Sequence, residues 1–206
     1  MKRLFCLLLL FLVSGPAGLA PAAPQTLKEG EALMGRFEQA RYLRGFEKPI
    51  LSEGVFFLMP KSSLIWQTET PFFSRMVIDD EGLSQSVGGA EVTRLGFKQF
   101  PGFKLLRETF ENSLGGNWQS LEELAGAKLI PAADGKFSLR FTPQASGLNL
   151  PFAYLNFSIG DFLEMVEIVK SNGDRDVISF SEQRIAPVEE VKAAAQHTGF
   201  PCVIKP

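Results

Sequence analysis

The sequence predicts a mainly β domain of the α+β class, with an antiparallel sheet built from consecutive hairpins. The first observation is a series of short runs that are apolar at alternate positions and separated by turn residues. These runs lie at residues 37–46, 50–59, 63–69, 72–79, 136–142, 152–159, 162–170 and 176–184. The second observation is the stretch 94–125, whose apolar residues fall three or four apart. This spacing favours one or two helices, broken near Gly115-Gly116.

Two further helices are predicted, one before the first strand and one after the last. Thr26-Leu27-Lys28-Glu29 has the form of a capping box, which predicts a short helix over residues 27 to about 35. Pro187 is expected to open a helix that runs to about residue 196, with Gly199 near its C-terminal cap. The tail from Phe200 to Ile204 is predicted as one more strand.

Turn residues separate the predicted strands. Asp79-Asp80-Glu81-Gly82 closes one hairpin, and Gly88-Gly89 marks another. Asn172-Gly173-Asp174 lies between the last two strands as a third turn. Asp, Asn and Gly accept the backbone angles of tight turns, so these positions fix where the chain reverses.

A cleaved export signal is predicted at the N-terminus. Two basic residues precede the apolar run Leu4–Val13, and small residues follow it, as in secretory signals. The run is about half of the roughly 20 residues that a membrane-spanning helix needs. Cleavage after Ala22 makes 1–22 the signal peptide and 23–206 a single domain that works outside the cytoplasm.

Composition narrows the possible partners. Removing the signal shifts the formal net charge from -2 to about -4, because Lys2 and Arg3 are lost without any acid. No basic field remains that would attract nucleic acid. Of the 19 Phe, 17 lie after residue 22, which fits either a Phe-rich core or a Phe-lined cavity. Only Cys202 remains after cleavage, so the fold relies on packing without an internal disulfide.

The sequence lacks a group of residues that would carry catalysis. His197 is the single histidine, and with Cys202 it falls short of the three or four ligands of a zinc site. No Gly-x-Ser-x-Gly elbow supports a Ser/His/Asp alternative. The acidic groups at 79–81, 122–123 and 189–190 are typical of solvated turns and helix faces. We therefore expect no enzymatic activity, no metal and no cofactor.

A series of short motifs lies along the first predicted strands. These motifs are Phe37-Glu38-Gln39, Gly45, Gly54-Val55-Phe56, Leu64-Ile65-Trp66, Pro71 and Val77-Ile78-Asp79. In order and spacing they resemble the periplasmic lipoprotein carrier family, LolA. Later segments are similar to the family's remaining helix, strand and final hairpin. They are Trp118-Gln-Ser-Leu, Lys136-Phe-Ser-Leu-Arg-Phe-Thr-Pro143, and Ile168 through Asn172-Gly173-Asp174 to Ile178-Ser-Phe180.

The resemblance implies an incomplete, half-open antiparallel β-barrel whose concave apolar face is covered by helices and holds acyl chains in transit. It further implies a monomer in the periplasm of a Gram-negative bacterium. Its cargo would be an acylated lipoprotein or another lipid, passed from an inner-membrane donor complex to an outer-membrane acceptor with only transient membrane-surface encounters. By position, the lining or its helical cover would include Phe37, Phe56, Leu64, Trp66, Phe73, Met76, Ile78, Phe100 and Phe103.

Two alternatives stay open at this point. The same residues could form an ordinary core instead of a cavity lining. The family also commonly has an Arg-Pro ahead of the Trp-bearing strand, with the Arg bonding carbonyls of the lid, whereas this chain reads Met59-Pro60-Lys61. Lys61 could replace that Arg only as a point donor, because it lacks the planar fork. The cargo could therefore be a different lipid, or the domain could be a lipid-sensing regulatory module on the same half-barrel.

Overall fold

The described part of the chain forms an eleven-stranded sheet and three helices. The computed structural model describes residues 24–96, 101–132, 136–142 and 152–198, and for residues 101–103 and 106 only the backbone. The strands are β1 Glu31–Tyr42, β2 Ile50–Met59, β3 Ser63–Thr70, β4 Ser74–Ile78, β5 Gly82–Val87, β6 Ala90–Gly96, β7 Ile130–Pro131, β8 Phe137–Phe141, β9 Tyr154–Ile159, β10 Leu163–Val169 and β11 Arg175–Pro187. The helices are α1 Pro101–Leu114, α2 Trp118–Ala125 and α3 Val188–His197.

The sheet is antiparallel throughout and is not closed. Its strand order is β6-β5-β4-β3-β2-β1-β11-β10-β9-β8-β7, so β6 and β7 are the two edges. Most neighbours in the sheet are also neighbours in sequence, as consecutive hairpins require. The exception is the central pair, in which β1 lies against β11 with Phe37 opposite Phe180. The predicted mainly β, α+β class and antiparallel sheet are confirmed.

The predicted strands and hairpin turns correspond to observed ones. Asp79 closes the β4–β5 turn, accepting hydrogen bonds from the amides of Glu81 at 2.9 Å and Gly82 at 3.2 Å. In the β10–β11 turn Gly173 has φ +90°, a backbone angle that favours glycine. From Pro101 onwards the predicted helical stretch forms α1 and α2, separated at residues 115–117. At residues 94–96 the helix prediction is wrong, because these residues end strand β6 and pair with β5.

The C-terminal helix also forms where it was predicted, with Pro187 at its N-cap and His197 as its last residue. Thr198 occupies the C-cap position, with its amide bonded to the carbonyl of Ala194 at 3.2 Å. Gly199 and the predicted strand at 200–204 lie outside the described residues, as does the signal peptide.

The predicted helix over residues 27–35 is wrong. Strand β1 begins at Glu31, and the residues just before it form no helix. Thr26 does not cap a helix but donates its hydroxyl to the carbonyl of Gly116 at 2.9 Å. The segment is extended because β1 is bonded on both sides, to β2 and to β11, and this pairing outweighs the local capping signal.

The two faces of the sheet carry separate apolar clusters. The larger cluster lies under α1 and α2 and includes Leu33, Phe141, Leu155 and Leu163, none more than 2% exposed. We call this side the α1/α2 face. On the opposite side α3 packs over a smaller cluster that includes Val191. That helix is held by Arg75 of β4, which donates to the carbonyl of Ala195 at 2.9 Å, so a cation meets the negative end of the helix dipole.

Burial on the α1/α2 face changes along the strands. At one end, residues such as Leu33 of β1 and Leu58 of β2 are fully buried beneath the helices, and we call this the covered end. At the other end lie the β1–β2, β3–β4, β5–β6 and β10–β11 turns, which we call the open end. Exposed apolar side chains lie at these turns or beside them. Phe46, Ile50, Phe72 and Val87 are among them, and Tyr42 and Leu51 are exposed on the opposite face of the sheet.

Candidate functional site

An apolar cleft of about 590 Å³ lies on the α1/α2 face at the open end of the sheet. Its apolar lining consists of Ile50, Leu64, Trp66, Pro71, Phe72, Met76, Ile78, Leu83, Val87, Phe110 and Ile168. Its polar lining consists of Gln39, Arg41, Ser52, Thr68, Ser74, Gln85 and Asp176. The volume is in the range of about 300–1,000 Å³ that small-molecule sites occupy. A cleft of this composition suits a ligand that is largely apolar.

The floor of the cleft is a layer of aromatic rings. The Trp66 indole stacks on the Phe37 ring with 3.9 Å between centroids, and Phe180 meets it edge-on at 6.0 Å. Phe56 packs edge-on against Phe180 at 5.4 Å. Gly35 makes room for this layer, because a Cβ there would lie 2.8 Å from the Phe56 ring. Trp66 therefore offers a ligand an apolar surface that is backed by buried rings.

One side of the cleft mouth carries an ionic cluster made by three neighbouring strands or their ends. Arg41 of β1 donates from Nε to Oδ1 of Asp176 on β11 at 2.8 Å, and Lys170 beyond β10 approaches Oδ2 at 3.0 Å. The Asp176 side chain is 6% exposed. Burial alone would raise the pKa of Asp176, but the hydrogen bonds from Arg41 and Lys170 outweigh it and hold that pKa below its ordinary value.

Arg107 ties helix α1 to the sheet beside the cleft. Its Nη1 donates to the carbonyl of Asp79 at 2.7 Å and to the Asp80 carboxylate at 2.9 Å, while Nε bonds Glu111 at 2.9 Å. Burial acts to lower the pKa of Arg107, but the bonds with Glu111 and Asp80 raise it above its ordinary value. The guanidinium stays charged while most of its surface is out of water. We call this set of bonds the Arg107 clamp.

Lys61 was considered as a substitute for the arginine that bonds carbonyls of the lid, but within the described part of the chain it does not make such a bond. It is exposed in the β2–β3 turn with φ +62°, and no residue that the structure describes pairs with it. On the α1/α2 face, Arg107 bonds a backbone carbonyl between helix and sheet, and it comes from the helix. On the opposite face, Arg75 of β4 makes the corresponding bond from a strand to the carbonyl of Ala195 in α3.

The residues predicted to line a cavity divide into four groups. Those that line the cleft are Leu64, Trp66, Met76 and Ile78. Phe37 and Phe56 are buried in the aromatic layer behind the indole instead of facing the cleft. Phe73 is half-buried next to the β3–β4 turn and is not part of the lining. Phe103 belongs to α1 but its side chain, like the whole of Phe100, lies outside the described residues.

The polar edge of the cleft and the lining residues from β5 and α1 were not predicted from the sequence. Arg41 lies four residues after Phe37 in β1. Because side chains of a strand alternate between the two faces of the sheet, this spacing could have placed both on the same face. Asp176 has the same relation to Phe180 on β11. Nothing in the sequence brings these two strands together, because Arg41 and Asp176 are 135 positions apart.

The residues considered as possible reactive groups are not among those that line the cleft. His197 ends α3 on the opposite face of the sheet, and Cys202 lies outside the described residues. Glu122 accepts hydrogen bonds from the Lys128 side chain at 2.8 Å and the Leu129 amide at 2.7 Å. Across the described ranges, no three His, Cys, Asp or Glu side chains gather as metal ligands. Within the same ranges, no helix combines the length and apolar character needed to cross a membrane.

Neither models of known protein families nor curated protein sequences gave a match to this chain. The geometry of the cleft is therefore the basis for assigning a function.

Proposed function

We propose that this protein is an exported carrier that binds the acyl chains of a lipoprotein or a related lipid and shuttles them between the inner and outer membranes. In this proposal the unclosed sheet is an incomplete barrel, the α1/α2 face is its concave side, and α1 and α2 are the cover. The observation that carries the proposal is the apolar cleft, whose floor is Trp66 and whose wall includes Met76.

The exposed apolar side chains at the open end support transfer through that end. Phe46 is 71% exposed in the β1–β2 turn, and Phe72 is 78% exposed in the β3–β4 turn while also lining the cleft. Exposed apolar groups around a binding site are typical of surfaces that meet a partner. An acyl chain entering here would pass between apolar surroundings of a donor or acceptor and the cleft with little exposure to water.

Exchange also requires that the cargo is not held too firmly. Burying an acyl chain contributes about 0.8 kcal/mol per methylene, so a long chain in a rigid, fully enclosed cavity would scarcely leave. The Arg107 clamp is a polar attachment between α1 and the sheet, and it acts together with the apolar contacts that Leu105, Phe110 and Leu114 of the helix make with the core. Cargo that displaces α1 would trade this attachment for acyl contacts, which brings binding and release closer to balance.

The direct test is binding of a fluorescent fatty-acid probe to the mature protein, together with native mass spectrometry of gently purified material. We expect saturable binding that unlabelled acyl lipid displaces, and co-purifying acyl species. Probe transfer between donor and acceptor vesicles should be faster with the protein than without it. Absence of both probe binding and acyl species would remove the carrier proposal. Binding without transfer would instead favour the lipid-sensing module.

A matched pair of methionines locates the site. Met76→Asp places a carboxylate in the cleft, and burying it beside an acyl chain should weaken probe binding by about tenfold or more. Met165→Asp puts the same charge on an exposed position of β10 outside the cleft and should leave binding unchanged. Equal losses in the two variants would contradict the assignment of the cleft as the site.

A further inference from the structure

Arg41 is placed where a ligand's polar end would meet the cleft. It is near the end of β1, its side chain lines the cleft mouth, and that side chain is 47% exposed. Its cross-strand neighbour on β11 is Asp176, which binds Nε at 2.8 Å. The buried carboxylate thus fixes the plane of the guanidinium at the edge of an otherwise apolar site.

The fixed guanidinium keeps its terminal donors available. Arginine has five N–H donors in a planar fork, and Asp176 takes the one on Nε. The two Nη nitrogens of Arg41 donate to none of the residues that the structure describes. An oriented fork with free terminal nitrogens matches the two oxygens of a carboxylate or phosphate, which arginine binds by paired hydrogen bonds.

The cations and acids around Arg41 leave it as the group that can bind an anion. Arg41 and Lys170 share the carboxylate of Asp176, and Lys170 also interacts with the carboxylate of Asp174. Asp174 accepts from the Arg44 amide at 2.9 Å and from Asn172 at 2.8 Å, and Glu167 accepts from Arg175 at 3.2 Å and Asn156 at 2.8 Å. An oxyanion at the terminal nitrogens of Arg41 would therefore meet a cation whose carboxylate partner is shared with Lys170.

We infer that Arg41 is a headgroup site, binding the carboxylate or phosphate of an amphiphile whose apolar chain lies against Trp66 and Met76. The inference rests on the proposed function, since it takes the cleft to be an acyl-chain site. It adds that the ligand is an anionic amphiphile and that a neutral one of equal chain length binds less well. A free anion is disfavoured because the rest of the lining offers mainly apolar surface.

The test compares ligands that share one chain and differ in headgroup. Dodecanoate, dodecyl phosphate and neutral dodecanol each compete with a neutral fluorescent acyl probe for the wild-type protein at low ionic strength. A charge-assisted hydrogen bond should make the anionic ligands bind about tenfold more tightly than dodecanol. Inorganic phosphate and acetate, which lack a chain, should not displace the probe at the same concentrations.

Variants assign any preference to Arg41. In Arg41→Gln the ratio of anionic to neutral affinity should fall to about one, and Arg41→Lys should keep part of it, because the charge remains and the fork is lost. Arg36→Gln is the matched control: Arg36 is on the same strand, faces the opposite side and pairs with Glu69 at 3.0 Å. It should keep the wild-type ratio. Circular dichroism of all three variants checks that they are folded.

The possible outcomes distinguish the headgroup site from the carrier proposal. Equal affinities for dodecanoate and dodecanol in the wild-type protein would overturn the headgroup site and leave the carrier proposal standing. An anionic preference that persists in Arg41→Gln would also overturn it. If inorganic phosphate alone displaced the probe, the site would bind free anions, and the proposal of an amphiphilic ligand would be wrong. Failure of every ligand and of the probe to bind would remove the carrier proposal itself.

Discussion

The covered and open ends of the α1/α2 face are made by the same strands but differ in what fills them. In β1, Leu33 at the covered end is fully buried, while Arg41 at the open end is about half exposed. The covered end is filled by helix side chains such as Leu121 of α2, which is also fully buried. The open end keeps a cleft instead. One sheet thus separates stability from binding along the length of its strands.

The largest effect should come from a cavity at the covered end. Leu121→Ala removes a fully buried side chain and should lower the free energy of unfolding by about 2–5 kcal/mol. Leu51→Ala makes the same change near the open end, on the opposite face of the sheet, where the side chain is 65% exposed, and should alter stability by no more than about 0.5 kcal/mol. Urea denaturation of both variants measures the difference. Similar losses would mean that the two ends contribute alike.

A smaller effect is expected at the Arg107 clamp, which ties α1 to the β4–β5 turn. Arg107→Gln breaks the clamp and should cost about 1–3 kcal/mol, because the partly buried Asp79 carbonyl and Glu111 carboxylate lose a charged donor. It should also speed probe entry and increase hydrogen exchange in α1. Lys104→Gln, on the same helix with only an exposed 3.9 Å contact to Glu108, serves as control. If Arg107→Gln left exchange in α1 unaltered, the helix would not be held by this clamp.

The smallest effect should appear at the open end as a pH dependence. Because its pKa is lowered in the folded state, ionised Asp176 stabilises the protein above its ordinary pKa of 3.8, and that contribution is lost as the pH falls below it. The charged groups around it are the cations Arg41 and Lys170 and the carboxylate of Asp174. As the pH falls below about 4, the wild-type protein should therefore lose stability more steeply than Asp176→Asn. Parallel thermal melting profiles would contradict this role.

Local signals predicted most of the sheet, because a hairpin is specified within its own segment. Alternating apolar residues placed β2 and β3, and Asn172-Gly173-Asp174 placed the turn before β11. The failure at residues 27–35 has a physical cause: a capping box is a local signal, whereas β1 is extended by pairing with strands on both sides. Sequence alone does not specify how much of that pairing forms.

The site was predicted only in part for a related reason. Trp66 and Met76 are on adjacent strands of one hairpin, and the resemblance to a carrier family brought them forward as lining residues. Whether an aromatic residue faces a cleft or a core depends on what packs over it, and the Trp66 indole covers Phe37. The ionic edge needed the β1–β11 pairing, which no local pattern encodes.

The pairing of β1 with β11 affects how the chain folds during synthesis. During synthesis the chain emerges N-terminus first, so β1 can form its hairpin with β2 at once, but its other edge stays unpaired until residues 175–187 follow. Pairings between distant segments form slowly, and an unpaired strand edge is a template for association with other chains. Quality control of this protein would therefore depend on protecting the free edge of β1 until β11 arrives.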